Sequence, residues 1–243
     1  ADMNKYLDSG NEARIKKAYE SRDPRLQMAV ITPYAQYNGA SSGIAHTYTL
    51  RWPYRGSDSA EPFDIRTDTN DKFYYLWRKF VPEGLEQTER DTYGLDIPLI
   101  RYAEVLLLKA EALNEWGSTH ESEAIRCVNE VRRRAGHVEL NNATYPATKV
   151  NGQSDLRERI RNEYYWEIGG EDSMYFHELR WGTWKDKKFD NNRNGLMQMW
   201  GETTYTWYWL GDQCWSWPIP AKEMEMNSNL EQNEGCLLYT SPS

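Results

Sequence analysis

The feature that most constrains this chain is a pair of apolar stripes lying one after the other between residues 99 and 135. Leu99, Ala103, Leu106, Ala110 and Leu113 recur at alternating steps of four and three, a spacing that puts them on one face of a helix. Ala124, Val128, Val131 and Ala135 resume the same spacing. Between the stripes stand Gly117, suited to the left-handed position past a helix end, and Ser118 and Glu121, spaced as an S-x-x-E capping box. Pro98 suits the entrance of the first helix and Gly136 the end of the second. So short a connection makes the two helices antiparallel neighbours, and small residues at 103, 110, 112 and 124 let them approach closely. The unit has the size of the helical hairpins of tetratricopeptide arrays, although only part of that repeat pattern is present. The predicted fold is mainly α, a tetratricopeptide-like helical domain with long loops and one small β-hairpin.

The flanking segments are read from the same signals. Glu12 to Glu20 is predicted as a short amphipathic helix. Asp23 is turned away from helix by Pro24, and Gln27 to Thr32 is predicted as a strand. Arg22, Asp23 and Arg25 are placed to form a local ion-pair network with a structural role. Pro33 to Pro62 shows no helical period and is predicted as a long loop, a kind of segment that is often functional. Polar loops are predicted at 83–94 and 137–153. Ser154 is predicted to cap a third helix from Asp155 to about Ile168, with Leu156, Ile160, Tyr164 and Ile168 as its apolar stripe. Thr203 to Leu210 has strong strand propensity, Gly211-Asp212 is a turn signal, and Gln213 to Trp217 is predicted to return as its partner.

Composition narrows the partners. A net charge of -8 disfavours nucleic acid and anionic membrane surfaces. The run Arg132-Arg133-Arg134 then fits the C-terminus of a helix, where cations pair with the dipole. No apolar run approaches the roughly 20 residues that span a bilayer. Three cysteines without a C-x-x-C pair indicate neither a disulfide framework nor a zinc site. No nucleophile, metalloprotease, P-loop or dinucleotide motif is present. The histidines at 46, 120, 137 and 177 stand far apart in unlike contexts. Asp190, Asn192 and Asn194, followed by Gly195, match the first half of a calcium loop. Gly201 stands where the bidentate Glu is required, so an Asn-Gly turn is the simpler reading and no cofactor is expected. Eleven Trp and seventeen Tyr suit contact with sugars, and equally a core built on aromatic side chains.

Four ordered segments carry a family resemblance. Ile97 to Gly117 followed by Ala124 to Gly136 resembles the helix pair of the SusD/RagB family, "RYAEVLL-x-x-AEA-x-NE-x-G" then "A-x-x-x-x-N-x-V-R-x-RAG". Arg22 to Leu26 resembles a second family segment, and Lys79 to Val81 resembles the short strand that precedes the family's helix pair, so a strand is expected there. Ile160 to Glu163, Glu167, Glu171 and Arg180-Trp181-Gly182 resemble a third, with Tyr164 in place of its first Arg and Asp172 and Met174 near its Gly and second Arg. Those departures predict weakened buried ion pairs. Pro218-Ile219-Pro220 to Glu223 and Asn227 to Gly235 resemble the family's C-terminal ending. The resemblance implies a non-catalytic, glycan-binding lipoprotein of the outer membrane. Its partner would be a SusC-like TonB-dependent transporter, in polysaccharide utilisation of the Bacteroidetes type. It also implies that residues 1–235 are the C-terminal portion of a longer SusD-like domain. The export signal, lipid-bearing Cys and N-terminal helices would then lie upstream of Ala1, and membrane attachment would be through that lipid alone. Residues 236–243 look like the translation of a sequencing-library adapter and are set aside.

Two further readings stay beside the glycan-binding one: a helical-repeat scaffold for a partner protein, and a glycoside hydrolase, since 37 acids always offer carboxylate pairs. Within the glycan reading, Trp52 and Tyr54 flank Pro53, which stiffens the backbone beneath two aromatic planes that match the C–H face of a sugar. Arg55 supplies donors beside them, and Tyr37, His46 and Tyr48 widen the surface. The alternative platform is Tyr205, Trp207 and Trp209 on the outer face of the predicted hairpin.

Overall fold

The computed structural model describes residues 12–20, 22–41, 44–54, 64–68, 76–84, 96–171, 173–189, 196–197, 203–205, 209, 211 and 214–233. The chain divides into two units, residues 2–174 and residues 175–243. The first runs α1 (Glu12–Glu20), α2 (Pro24–Ala29), β1 (Val30–Ile31), β2 (Gln36–Ser41), β3 (Ile44–Tyr54), β4 (Asp64–Asp68), β5 (Leu76–Trp77), α3 (Tyr102–Trp116), α4 (Glu121–Arg134) and α5 (Gln153–Ile168). The chain continues through α6 (Ser173–Arg180), α7 (Trp184–Lys188), β6 (Leu196–Met197), β7 (Thr203–Tyr205) and α8 (Ala221–Met226). No helix among the described residues is long and apolar enough to cross a membrane.

The core of the first unit is the mutual packing of α3, α4 and α5. Leu106, Leu107, Ala110 and Leu113 are buried on α3, Ala124, Val128 and Val131 on α4, and Leu156, Ile160, Tyr164 and Ile168 on α5. Each large apolar side chain so buried is worth about 1.5–3 kcal/mol. The helix ends are tied by polar side chains whose own groups are satisfied. Asn114 donates to the Gln153 carbonyl at 3.2 Å and Gln153 returns a bond to the Asn114 carbonyl at 2.7 Å. Asn129 donates to the Leu140 carbonyl and accepts from the Leu140 N–H, at 3.2 and 2.7 Å. At the end of α4 the Gly136 N–H reaches the Arg133 carbonyl and the His137 N–H reaches that of Arg132, a Schellman closure.

Several boundaries differ from those predicted, each for a local reason. Leu99 is not on the helix stripe: it is 90% exposed, and α3 begins only after Arg101, whose backbone is extended at φ -110°, ψ 150°. That conformation carries the Arg101 side chain to Glu167 and Glu171. Ser118 and Glu121 form no capping box. Ser118–His120 makes one tight 3-10 turn, and α4 starts at Glu121 without a side-chain cap. Ser154 is inside α5, which starts at Gln153 after Gly152. Gln27 to Ala29 is helix, because Asp23 accepts the Arg25 N–H and Pro24 fills the first helical position. Only Val30–Ile31 is strand. It pairs with Leu76–Trp77, so the strand expected at Lys79 to Val81 lies a few residues earlier, and Lys79 itself is in a turn.

The largest correction concerns Pro33 to Pro62, predicted as a loop. Gln36–Ser41 and Ile44–Tyr54 form an antiparallel hairpin running from Gln36 opposite Thr49 to Ser41 opposite Ile44, and β4 pairs with β3 in parallel. Alternating Thr and Tyr along β3 suit a pleated surface, and that period of two was outweighed by the Gly and Ser content of the flanks. The predicted 203–217 hairpin is also replaced. Thr203–Tyr205 pairs with Leu196–Met197, and residues 214–216 form a turn, with the Cys214 N–H on the Gly211 carbonyl at 3.0 Å.

Candidate functional site

Two places in the first unit combine polar chemistry with fixed geometry. The first is the inner end of α5. Glu163 and Glu167 stand one helical turn apart and both are buried. Arg25 bridges them, donating to Glu163 at 2.7 Å and to Glu167 at 3.2 Å, while its other donors hold Asp23. Arg132 reaches the second Glu163 oxygen at 2.7 Å. Glu167 also receives Arg134, and Arg101 at 3.0 Å. One turn further, Glu171 accepts from Lys79 and Arg101, each at 2.7 Å. The expected weakening of these ion pairs is therefore not found. Tyr164 fills the core instead of supplying a guanidinium, and Arg25 and Arg132 supply the charge from elsewhere.

The electrostatics follow from burial opposed by pairing. Burial pushes the Asp23 and Glu171 carboxyls up, but hydrogen bonds from Arg25 to the one and from Arg101 and Lys79 to the other outweigh it, so both pKa values are lowered. Burial lowers the His137 pKa, and the Asp23 carboxylate 3.6 Å away only partly restores it. Buried carboxylates held this way by guanidiniums lock packing elements in register. The resemblance pointed to buried ion pairs here, but local inspection did not find the partners, which are 31 and 138 positions apart. The available signal was two acids inside the apolar stripe of α5, which burial obliges to be paired.

The second place is the hairpin. Tyr37 on β2 stands directly opposite Tyr48 on β3, their ring centroids 6.3 Å apart. His46, two residues earlier on the same face, meets the Tyr48 ring edge-on at 6.3 Å. Gly39 lies opposite His46, and a β-carbon there would come within 2.8 Å of the Tyr48 ring and 2.9 Å of the Tyr37 ring, so any larger residue would have to push the two rings apart. The Tyr37 hydroxyl donates to the Pro82 carbonyl, and burial with the nearby Glu83 carboxylate raises its pKa. Arg78 and Glu83 pair beneath the hairpin. Arg78 also donates to the Gln36 carbonyl at 2.8 Å, and Glu83 accepts the Asn38 N–H at 3.1 Å. Leu50, on the aromatic face nearer the base, is fully buried.

The SusD family description matches residues 4–235. The chain belongs to the SusD family. SusD-like protein P38 of Formosa agariphila is 32% identical over 139 residues, which make up 57% of this chain and 24% of that protein. The starch-binding protein SusD of Bacteroides thetaiotaomicron is 28% identical over 160 residues, 65% of this chain and 25% of that protein. A SusD-like carbohydrate-binding protein of Bacteroides fragilis shares the fold, with a TM-score of 0.55 at 23% identity across 93% of this chain and 44% of the other. The chain thus spans about a quarter of the length of the curated relatives it matches.

Against this SusD-type fold the predicted site residues fall into three groups. Tyr37, His46 and Tyr48 share one face of the hairpin. Trp52 and Tyr54 lie on the same strand, Tyr54 opposite Asp68, with the register shifting between Arg51 and Tyr54. Arg55 lies outside the described residues, as do Trp207 and the possible calcium ligands Asp190, Asn192 and Asn194. Tyr205 ends β7. Trp209 sits between Phe189 at 5.3 Å and Trp215 at 4.9 Å, with the Lys185 ammonium 5.6 Å from its ring, so its faces are already in contact with protein. Among the described residues no group of three or more His, Cys, Asp or Glu is placed to hold a metal.

Proposed function

We propose that this chain is part of a non-catalytic, glycan-binding protein of the cell surface, held in the outer membrane by a lipid anchor and working beside a SusC-like TonB-dependent transporter. The observation that carries the reading is membership of the SusD family over residues 4–235, one of whose relatives is named for binding starch. The paired aromatics of the hairpin support it. Tyr37 and Tyr48 hold each other and Tyr37 is pinned to Pro82, so little side-chain entropy is lost when a sugar ring stacks there. We place the glycan platform on this face, with Trp52 and Tyr54 further along β3 and Arg55 as a donor in the sequence beside them. The buried carboxylates support binding without turnover. Glu163 and Glu167 are saturated by guanidiniums and lack the free, proton-exchanging neighbourhood of a general acid.

Native affinity electrophoresis through gels containing a panel of neutral and charged polysaccharides tests the reading. The chain is expected to be retarded by at least one of them, with reducing-sugar release at background. Tyr48→Ala is expected to relieve the retardation of a glycan held on the hairpin. Release of sugar ends that copurifies with the chain would instead establish a hydrolase.

A further inference from the structure

A second cleft in the first unit carries chemistry that neither the hairpin nor the core explains. It consists of three adjoining cavities. The first, of about 150 Å³, is lined by Trp77, Tyr165, Trp166 and Arg25 among others. The second, of about 260 Å³, shares Arg25, Ala29 and Trp166 with it and adds Lys79, Arg101 and Arg134. The third, of about 280 Å³, shares Arg101 and Arg134 with the second and ends at Tyr102 and Glu130. Together they reach the range of roughly 300–1,000 Å³ typical of small-ligand sites.

The lining changes character along the cleft. At one end two indoles remain open to solvent: Trp77 is 56% exposed and Trp166 44%. Neither is loose. The Trp77 ring rests on Gly170, where φ is +82° and a β-carbon would come within 2.6 Å of the ring. Trp166 has the Arg25 and Arg132 guanidiniums 6.0 and 5.7 Å from its ring centroid and the His137 ring edge-on at 5.9 Å. The cations that line the cleft, Arg25, Lys79, Arg101 and Arg134, are matched in number by the carboxylates Asp23, Glu130, Glu167 and Glu171. Arg134 is the cation with donors to spare. Its side chain is 58% exposed, and its ion pair among the described residues is with Glu167, which Arg25 and Arg101 hold as well. The Arg134 guanidinium thus faces solvent in the cleft that also holds the two aromatic planes.

We propose that this cleft binds an anionic oligosaccharide, stacking sugar rings on Trp77 and Trp166 and pairing a ring carboxylate or sulfate with Arg134. The proposal rests on the glycan-binding reading for the sugar and on the exposed Arg134 for the charge. An aromatic plane matches the C–H face of a pyranose, while a guanidinium matches the paired oxygens of a carboxylate or sulfate. Trp166 shares the second cavity with Arg134 and Trp77 stands one cavity further on, an arrangement that suits a chain of sugars rather than a single ring.

The test uses the full chain in affinity electrophoresis against polygalacturonate, dextran sulfate and neutral dextran, with Arg134→Gln, Trp77→Ala, Tyr48→Ala and Arg126→Gln as variants. Arg126 is 71% exposed at its side chain and does not line the cleft, so its variant reports diffuse charge. The chain is expected to be retained by one of the anionic polymers and not by dextran. Polygalacturonate alone would assign a carboxylate, dextran sulfate alone a sulfate. Arg134→Gln and Trp77→Ala should each weaken retention about ten-fold, the effect of one charge-assisted or stacking contact, and Arg126→Gln should leave it unchanged. Melting of each variant is measured alongside, and Arg134→Gln carries the decision if Trp77→Ala melts early. Equal loss with Arg126→Gln overturns the proposal in favour of diffuse ion exchange. Loss with Tyr48→Ala alone overturns it while upholding the hairpin as a glycan site. Retention by dextran as strong as by the anionic polymers overturns the charge assignment and leaves glycan binding standing. Retention by none of the polymers overturns the proposal, and the wider polysaccharide panel then decides the glycan-binding reading separately.

Discussion

In the helical core Arg25 and Arg132 meet Glu163 with all three side chains less than a tenth exposed, whereas at the hairpin Arg78 meets Glu83 with both about a quarter exposed. The bonds are of the same kind and the consequences differ. In the core, water cannot replace a lost partner, so each charge depends on the others and the network fixes how α2, α4 and α5 fit together. At the hairpin, solvent can take over for either partner, and the pair only steadies a sheet whose fixed feature is the closure of two tyrosines over Gly39. One region therefore stores its stability in charge complementarity and the other in shape.

The largest effect should come from breaking the buried side of this comparison. Glu163→Leu leaves Arg25 and Arg132 with an unpaired share of buried charge and is expected to cost about 3–5 kcal/mol, read as a large fall in melting temperature. An unchanged melt would mean that solvent reaches these guanidiniums and that the contrast with the hairpin is false.

Acid separates the two regions next. His137 in the core has a lowered folded pKa, caused first by burial and then by Arg132, against the attraction of Asp23. The unfolded chain therefore takes up a proton that the folded chain refuses as pH falls below about 6.5, and stability begins to drop there. Asp23 and Glu171, also lowered, contribute stability above the ordinary carboxylate range and lose it as pH falls below about 4. Glu83 at the hairpin, lowered first by its bond from Arg78, belongs to that second window alone. The expected result is a fall in urea midpoint between pH 7 and 5 that His137→Gln abolishes.

How much of this was legible in the sequence divides along the same line. The core helices were, because burial on one face leaves a period that local inspection can count: Leu106, Ala110 and Leu113, then Ala124, Val128 and Val131, then Leu156, Ile160, Tyr164 and Ile168. Their starts were not, because Arg101 is held extended by Glu167 and Glu171, which lie 66 and 70 positions away. The hairpin was lost for the opposite reason. Tyr37, His46 and Tyr48 do stand together on one face, but a three-stranded sheet depends on register between segments, and Gly, Ser and Tyr content spoke for a loop. Trp77 and Trp166 drew no notice because each is an isolated aromatic in its own segment, and only the turn at Gly170 brings one against the backbone beside the other.

Shape at the hairpin can be tested by adding one carbon. Gly39→Ala puts a methyl 2.8 Å from the Tyr48 ring and 2.9 Å from that of Tyr37, inside any ordinary contact. The rings must part, at a cost of about 1–3 kcal/mol, and the Tyr37 bond to Pro82 should lengthen. Tyrosine fluorescence and amide exchange in 36–50 should change, with the exchange of α3 to α5 unaltered.

The smallest effect is expected at Arg78, and it makes the comparison sharpest because the chemistry removed is the same as in the core. Arg78→Ala deletes the pair with Glu83 and the bonds to the Gln36 and Gln27 carbonyls. Each of these bonds is classed as exposed, so water can satisfy what is left, and Glu83 keeps the Asn38 N–H. The loss should be about 0.5–1 kcal/mol, several-fold below that of Glu163→Leu. It should also shrink as salt is raised, because a half-open pair is screened where a buried one is not. Thermal melts of both variants in 0.05 M and 0.5 M sodium chloride are the measurement. A penalty for Arg78→Ala that matches the core variant, or that is indifferent to salt, would show the hairpin pair to be as enclosed as the lock, and the division between a charge-built core and a shape-built sheet would fall.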